Sequence, residues 1–218
     1  PGPQVTATAR LTAVQIDGRL DERDLASGPV SAPFVQGEPV EGAAVDQPTT
    51  VRVLFDGQAL YIGARLHDVS PDQVRRQLSR RDEFGPFDFF DVSLSPNNDR
   101  LTGYRFRVSA AGVQSDWYLY DDTRDDISWD AVWESAVHHD AEGWTVEMRI
   151  PLSQLRFDPS DDAQVWGVNF SRRRVATNER SYLALESRRQ QGRVSVFGQL
   201  DGLMLTSRPS RLELRPYT

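Results

Sequence analysis

Cysteine is absent from the chain, so disulfides, thiolate metal centres and cysteine nucleophiles are excluded together. Lysine is absent as well, since all 25 basic residues are arginine, and this removes lysine Schiff bases, lysine general bases and lysine haem ligation. The skew reads first as coding bias in a GC-rich genome and second as selection for bidentate recognition of carboxylates or sugars. A basic surplus is also missing: 32 acidic residues against 25 basic give a net charge of −7, which argues against a nucleic-acid partner because phosphate binding needs excess cation. No run of about 20 apolar residues exists, so no helical membrane span is expected. No signal peptide precedes Pro1, as expected of a mature or excised domain.

Catalytic and cofactor signatures are equally scarce. No P-loop, HExxH or nucleophile elbow occurs, and no nucleotide is expected. His67, His138 and His139 do not make a metal triad, because adjacent strand residues point to opposite faces. Met148 falls among inward residues, so haem is not expected either.

What is abundant is tryptophan and aspartate between Asp116 and Phe157. In AVWESAVHH, alternation puts Trp133, Ser135 and Val137 on one face and Glu134, Ala136 and His138 on the other. In GWTVEMRI it groups Trp144, Val146, Met148 and Ile150 against Thr145, Glu147 and Arg149. The turn Asp140 to Gly143 makes these a hairpin, pairing Val137 with Val146, Ser135 with Met148 and Glu134 with Arg149. The same alternation predicts strands in TTVRVLFD, ALYIGARLHD, DFFDVSLSP, VWGVNFSRRR, SYLALES and RVSVFGQLDGLML. GYRFRVS and VQSDWYLY form a second hairpin around Ala110, Ala111 and Gly112, with Trp117 inward, Arg105 opposite Asp116 and Arg107 opposite Gln114 outside. PDQVRRQLSRRDE is the one helical candidate. Residues 23 to 48 read as a long surface connection that Phe34 pins to the core. The expected fold is all-β: a two-sheet antiparallel β-sandwich of about ten strands, with one short helix and an irregular N-terminal segment. It forms a single domain over residues 1 to 218, with extended ends at 1 to 10 and 209 to 218.

The blocks IDGRLDE, ALYIGARLHD, RRDEF, TGYRFRVSAAGVQSD, SWDAVWES, GWTVEMRIPLSQLRF, WGVNFSRR and FGQLDGL follow one another in this order. With them the chain resembles the carbohydrate-binding module family 9-like domain from about Leu11 to Tyr217, in the branch that precedes DUF5916 regions in bacterial envelope proteins. The resemblance implies a β-sandwich, an extracytoplasmic location in the periplasm or at the outer cell surface, and a following C-terminal outer-membrane β-barrel. It also implies a carbohydrate ligand held by aromatic side chains, and structural calcium. Leu25 stands where many relatives have tryptophan, and Ser95 where they often have aspartate.

Sugar binding needs flat apolar faces and planar polar groups. The aromatic candidates are Trp129, Tyr118 and Tyr120. The polar candidates are the outward set Arg105, Arg107, Glu134, Glu147, Arg149 and Asn169, which would line a concave groove for hydroxyls or an acidic sugar, or else form cross-strand ion pairs on a covered face. Asp121, Asp122, Asp125, Asp126 and Asp130 are the candidate ligands for Ca²⁺, although their spacing is not that of an EF-hand. Glu134 and Glu147 are the conceivable glycosidase pair, but neighbouring arginines would hold both ionised, so no enzyme is expected. The expected function is a non-catalytic binding module; the alternative is an interaction domain docking on an outer-membrane barrel or envelope partner.

Overall fold

The computed structural model describes residues 2–209 and is nearly all β. Thirteen strands occur among them: β1 (Gln4–Ala9), β2 (Val35–Glu38), β3 (Thr49–Phe55), β4 (Ala59–His67), β5 (Phe89–Ser95), β6 (Gly103–Ser109), β7 (Gln114–Tyr120), β8 (Arg124–Asp126), β9 (Glu134–Asp140), β10 (Gly143–Pro151), β11 (Gln164–Arg174), β12 (Glu179–Tyr182) and β13 (Gly198–Leu203). They run in the order β8-β7-β6-β5-β11-β13-β1-β3-β4-β10-β9, with β12 and β2 added beside β11. β1 is the link between the two halves. Its first part pairs with β13 and its second part with β3, both in parallel, while every other ladder is antiparallel.

Because side chains alternate across a strand, each half turns one apolar row inward. Val51, Val53, Ile62, Ala64, Val146 and Met148 from one half join Phe90, Val92, Phe106, Val168 and Phe170 from the other in a single core cluster. Trp144 and Trp166 are fully buried in it, as the alternation predicted, and Phe34 pins the connection before β3 to it, as expected. The β9–β10 register also matches expectation, with Val146 opposite Val137, Met148 opposite Ser135 and Arg149 opposite Glu134.

The helix expected over residues 71 to 83 is not formed. Only Pro71–Gln73 make a single 3₁₀ turn, and Leu78 is 77 % exposed. One apolar contact, Val74, cannot hold a short helix that lacks a packed face. The one α-helix, α1 (Arg23–Ser27), lies instead in the segment expected to be irregular. It is held by tertiary packing: Leu25 sits over Gly63, where a Cβ would meet its Cδ2 at 2.9 Å. The exit segment expected to follow β13 falls from residue 210 onward outside the described residues.

Candidate functional site

The second hairpin differs from expectation by one residue, and this decides what its outer face carries. Arg105 pairs with Trp117, Arg107 with Ser115, and Val108 with Gln114. Ser109 and Val113 close the loop through a backbone bond of 2.9 Å, and Gly112 has φ +84. The loop is the expected Ala110, Ala111 and Gly112, three residues ending in a left-handed glycine, but it sets Ser109 opposite Val113 and so shifts the pairing by one residue from that expected, and a one-residue slip sends every β7 side chain to the opposite face. Trp117, expected in the core, packs on the outer side with Leu119 and Val194. Asp116 and Tyr118 take their place toward the interior. The buried Asp116 accepts from Trp133 Nε1 at 2.8 Å and from Arg81, and burial raises its pKa.

The outer face of β7-β6-β5-β11 is consequently a polar sheet surface ordered in two rows. One row runs Ser115, Arg107, Asp91, Ser171; the other runs Trp117, Arg105, Ser93, Asn169. Arg107 grips Asp91 with two bonds, at 2.7 and 2.9 Å, and Arg180 from β12 adds a third at 3.1 Å. Burial alone would raise the Asp91 pKa, but the charges and hydrogen bonds of Arg107, with Arg180 and Arg105 behind it, pull it down to about 2. Asp91 is thus a fixed anion that orients two guanidinium planes. Arg107 also lies 3.5 Å above the Phe89 ring and 5.0 Å from Trp117.

An aromatic lip stands at the β7 edge. Phe84 is 65 % exposed and stacks on Trp117 with ring centres 5.9 Å apart. On the β11 side the chain after β12 folds over the rows. Asn169 ties it down with both amide atoms, donating to Ala184 O at 2.9 Å and accepting from Ala184 N at 2.8 Å. Asn169 is therefore a positioning residue. Asp122 pins the next stretch by accepting from Arg193 N, Ser195 N and Ser195 Oγ at 2.8–2.9 Å.

The other expected site residues lie elsewhere. Glu134 and Arg149 bond at 3.1 Å on the outer face of the opposite half, as predicted, with Glu134 exposed and Arg149 half-buried. Glu147 belongs to that face too, but it is fully buried, which corrects both its place in a groove and its ionisation. Residues 14 to 25 cover it: Asp17 N and Gly18 N donate to its Oε2 at 2.9 and 2.8 Å, and Val14, Ile16, Leu20 and Leu25 pack on Leu54, Ala59 and Tyr61. Burial and the adjoining Glu22 carboxyl push the Glu147 pKa up to about 8, whereas Arg149 was expected to hold it down.

The outward set thus does not line one groove; it divides between two faces. Trp129 and Tyr118 pack against the edge of the core around Tyr104, and Tyr120 stacks on Tyr118 at 6.3 Å, so the aromatic trio is separate from both polar faces. The five aspartates do not converge. Asp121 lies 4.0 Å from Arg124, Asp122 is the loop pin, Asp125 pairs with Arg193 at 2.6 Å, Asp126 caps Ser128, and Asp130 pairs with Arg81 at 3.0 Å. Among the described residues no three His, Asp or Glu side chains gather where they could hold a metal.

Residues that sequence reasoning missed are Phe84, Asp91, Arg180 and Glu186. Asp91 was legible, since it alternates with Phe90 and Val92 and faces an arginine row. Phe84 and Glu186 lie in loops that leave no periodic signal, and Arg180 lies on the four-residue strand β12, which is too short to show one.

A β-sandwich whose two halves are joined by one shared strand, with a polar row and an aromatic lip on an outer face, defines a binding-module architecture. Residues 16–189 match the family described as carbohydrate family 9 binding domain-like, and the chain belongs to that family. Among solved structures it is similar to a family 9 carbohydrate-binding module from Caldicellulosiruptor kristjanssonii in complex with cellotriose, at 16 % identity over 98 % of this chain and 100 % of that one, with a TM-score of 0.64. The match to a family 9 module from the same organism in complex with glucose has 17 % identity over 97 % and 100 % of the two chains and the same TM-score of 0.64. A structure from Bacteroides uniformis ATCC 8492 aligns at 15 % identity over 92 % of this chain and 99 % of that one, with a TM-score of 0.68. No curated protein sequence matches the chain.

Proposed function

We propose that the chain is a non-catalytic carbohydrate-binding module of an exported bacterial envelope protein, with its sugar site on the outer face of β5, β6, β7 and β11. The observation that carries this reading is the placing of two guanidinium planes, Arg105 and Arg107, beside the buried Trp117 ring and the exposed Phe84 ring on one face. Planar cations donate paired hydrogen bonds to vicinal hydroxyls, and flat rings accept the C–H face of a pyranose. Family membership and the cellotriose and glucose bound to two similar structures support it. The non-catalytic part is supported by the carboxyls. The arginines hold the Asp91 carboxyl low, while Glu147, whose pKa burial raises, lies under the N-terminal cover of the other half, so these two carboxyls do not flank one bond as a glycosidase pair must.

Calorimetric titration of the isolated domain with glucose, cellotriose and other mono- and oligosaccharides tests the proposal. Saturable binding is expected, weakened about ten-fold by Phe84→Ala through loss of a stacking face and unchanged by Glu134→Gln on the opposite face. A folded domain that binds no saccharide would contradict it and favour docking on an envelope partner.

A further inference from the structure

We infer that the sugar bound on this face carries a carboxylate, a hexuronic acid or a glycan containing one, and that Arg105 is the residue that reads it. The inference rests on the carbohydrate reading above and names its ligand class.

Arg105 is nine-tenths buried, with 9 % of its surface exposed, yet its charge has a single long ion pair and no bidentate partner. Its Nε reaches Ser93 Oγ at 3.4 Å, and its nearest carboxylate, Glu186, stands 3.9 Å from Nη2. Glu186 is itself divided, lying 4.0 Å from Arg193 Nε and accepting from Asn169 Nδ2 at 3.3 Å. The other anion of the row, Asp91, is already taken by Arg107 and Arg180. Desolvation lowers the Arg105 pKa, the mark of a cation whose surroundings do not compensate for lost water. A buried, under-paired guanidinium is costly in the free protein, and the group that relieves it best is a carboxylate accepting two parallel N–H bonds. A neutral pyranose offers only hydroxyls there, which leave the charge uncompensated. Arg105 lies 6.0 Å from the buried Trp117 ring, against which Phe84 stacks, so a sugar stacked on the exposed Phe84 ring brings its carboxylate toward Arg105.

The test compares D-glucuronate with glucose and D-galacturonate with galactose, pairs that differ only in carboxylate against hydroxymethyl. They are titrated into the wild-type domain at neutral pH in low and high salt, and into Arg105→Gln after its fold is checked by circular dichroism. The uronates are expected to bind about ten-fold more tightly than their neutral partners, an advantage that shrinks in high salt and vanishes in Arg105→Gln. Equal or better binding of the neutral sugars would overturn the inference and leave the carbohydrate reading standing. A uronate preference that survives Arg105→Gln would overturn the role of Arg105, and a folded wild-type domain that binds neither class would overturn both. Should Arg105→Gln not fold, the wild-type sugar pairs and their salt dependence decide.

Discussion

The two outer faces of the sandwich both bury charged groups, but they solve the cost in opposite ways. On the β4–β10 side, residues 14 to 25 lie over the sheet, Glu147 keeps its proton, and backbone N–H groups satisfy one of its oxygens. On the β5–β6–β7 side, Asp91 stays ionised between two arginines, Arg105 stays under-paired, and an exposed phenylalanine stands at the lip. The first is a face closed by its own chain. The second is a preorganised polar surface with a cation left to satisfy. Burial alone therefore does not separate a structural polar group from a binding one; what separates them is whether the fold itself has already matched the group.

The largest effect that would break this comparison is expected from Asp91→Ala. It leaves the buried Arg107 and the half-buried Arg180 without their shared anion, and urea unfolding should show a loss of about 3–5 kcal/mol. A loss no larger than that of a surface substitution would mean the row is not the fixed scaffold described.

Next comes Glu147. Between the ordinary glutamate range and about 8, the folded state holds a proton that the unfolded state has released, so stability should fall as pH rises through that window. Glu147→Gln, which retains an acceptor for Asp17 N and Gly18 N, should flatten that slope, whereas Glu147→Ala should loosen residues 14 to 25 in hydrogen exchange. A wild-type slope that persists in Glu147→Gln would place the titrating group elsewhere.

The smallest effect is expected from the exposed pair. A double-mutant cycle on Glu134 and Arg149 should give a coupling of about 0.2–1 kcal/mol, screened by salt. No coupling at all would count against the β9–β10 register.

Much of the fold was legible because alternation is local. The inward rows of β3, β4, β5, β10 and β11 and the β9–β10 register follow from period two and from the Asp140 to Gly143 turn. Three features were not legible. The loop Ala110 to Gly112 sets Ser109 opposite Val113, one residue off the expected pairing, which carries Trp117 to the outer face and Tyr118 toward the core. The arginine-rich stretch 71 to 83 has helical spacing but no second apolar contact, and Arg81 instead reaches Asp116 and Asp130. Alternation marks a residue as outward without saying whether a distant segment covers it. That is why Arg105 and Arg107 could be placed on a candidate face, while Glu147 could not be recognised as covered and Asn169 could not be recognised as a loop anchor.

The most direct test of the central claim is a ¹⁵N-resolved NMR titration that includes the arginine Nε and tryptophan indole signals, with glucuronate and glucose as ligands. The account predicts saturable shifts confined to Trp117, Arg105, Arg107, Arg180 and their β5–β6–β7 neighbours, larger for glucuronate. Shifts that cluster around Glu134 and Arg149, or around Trp129, Tyr118 and Tyr120, would contradict it.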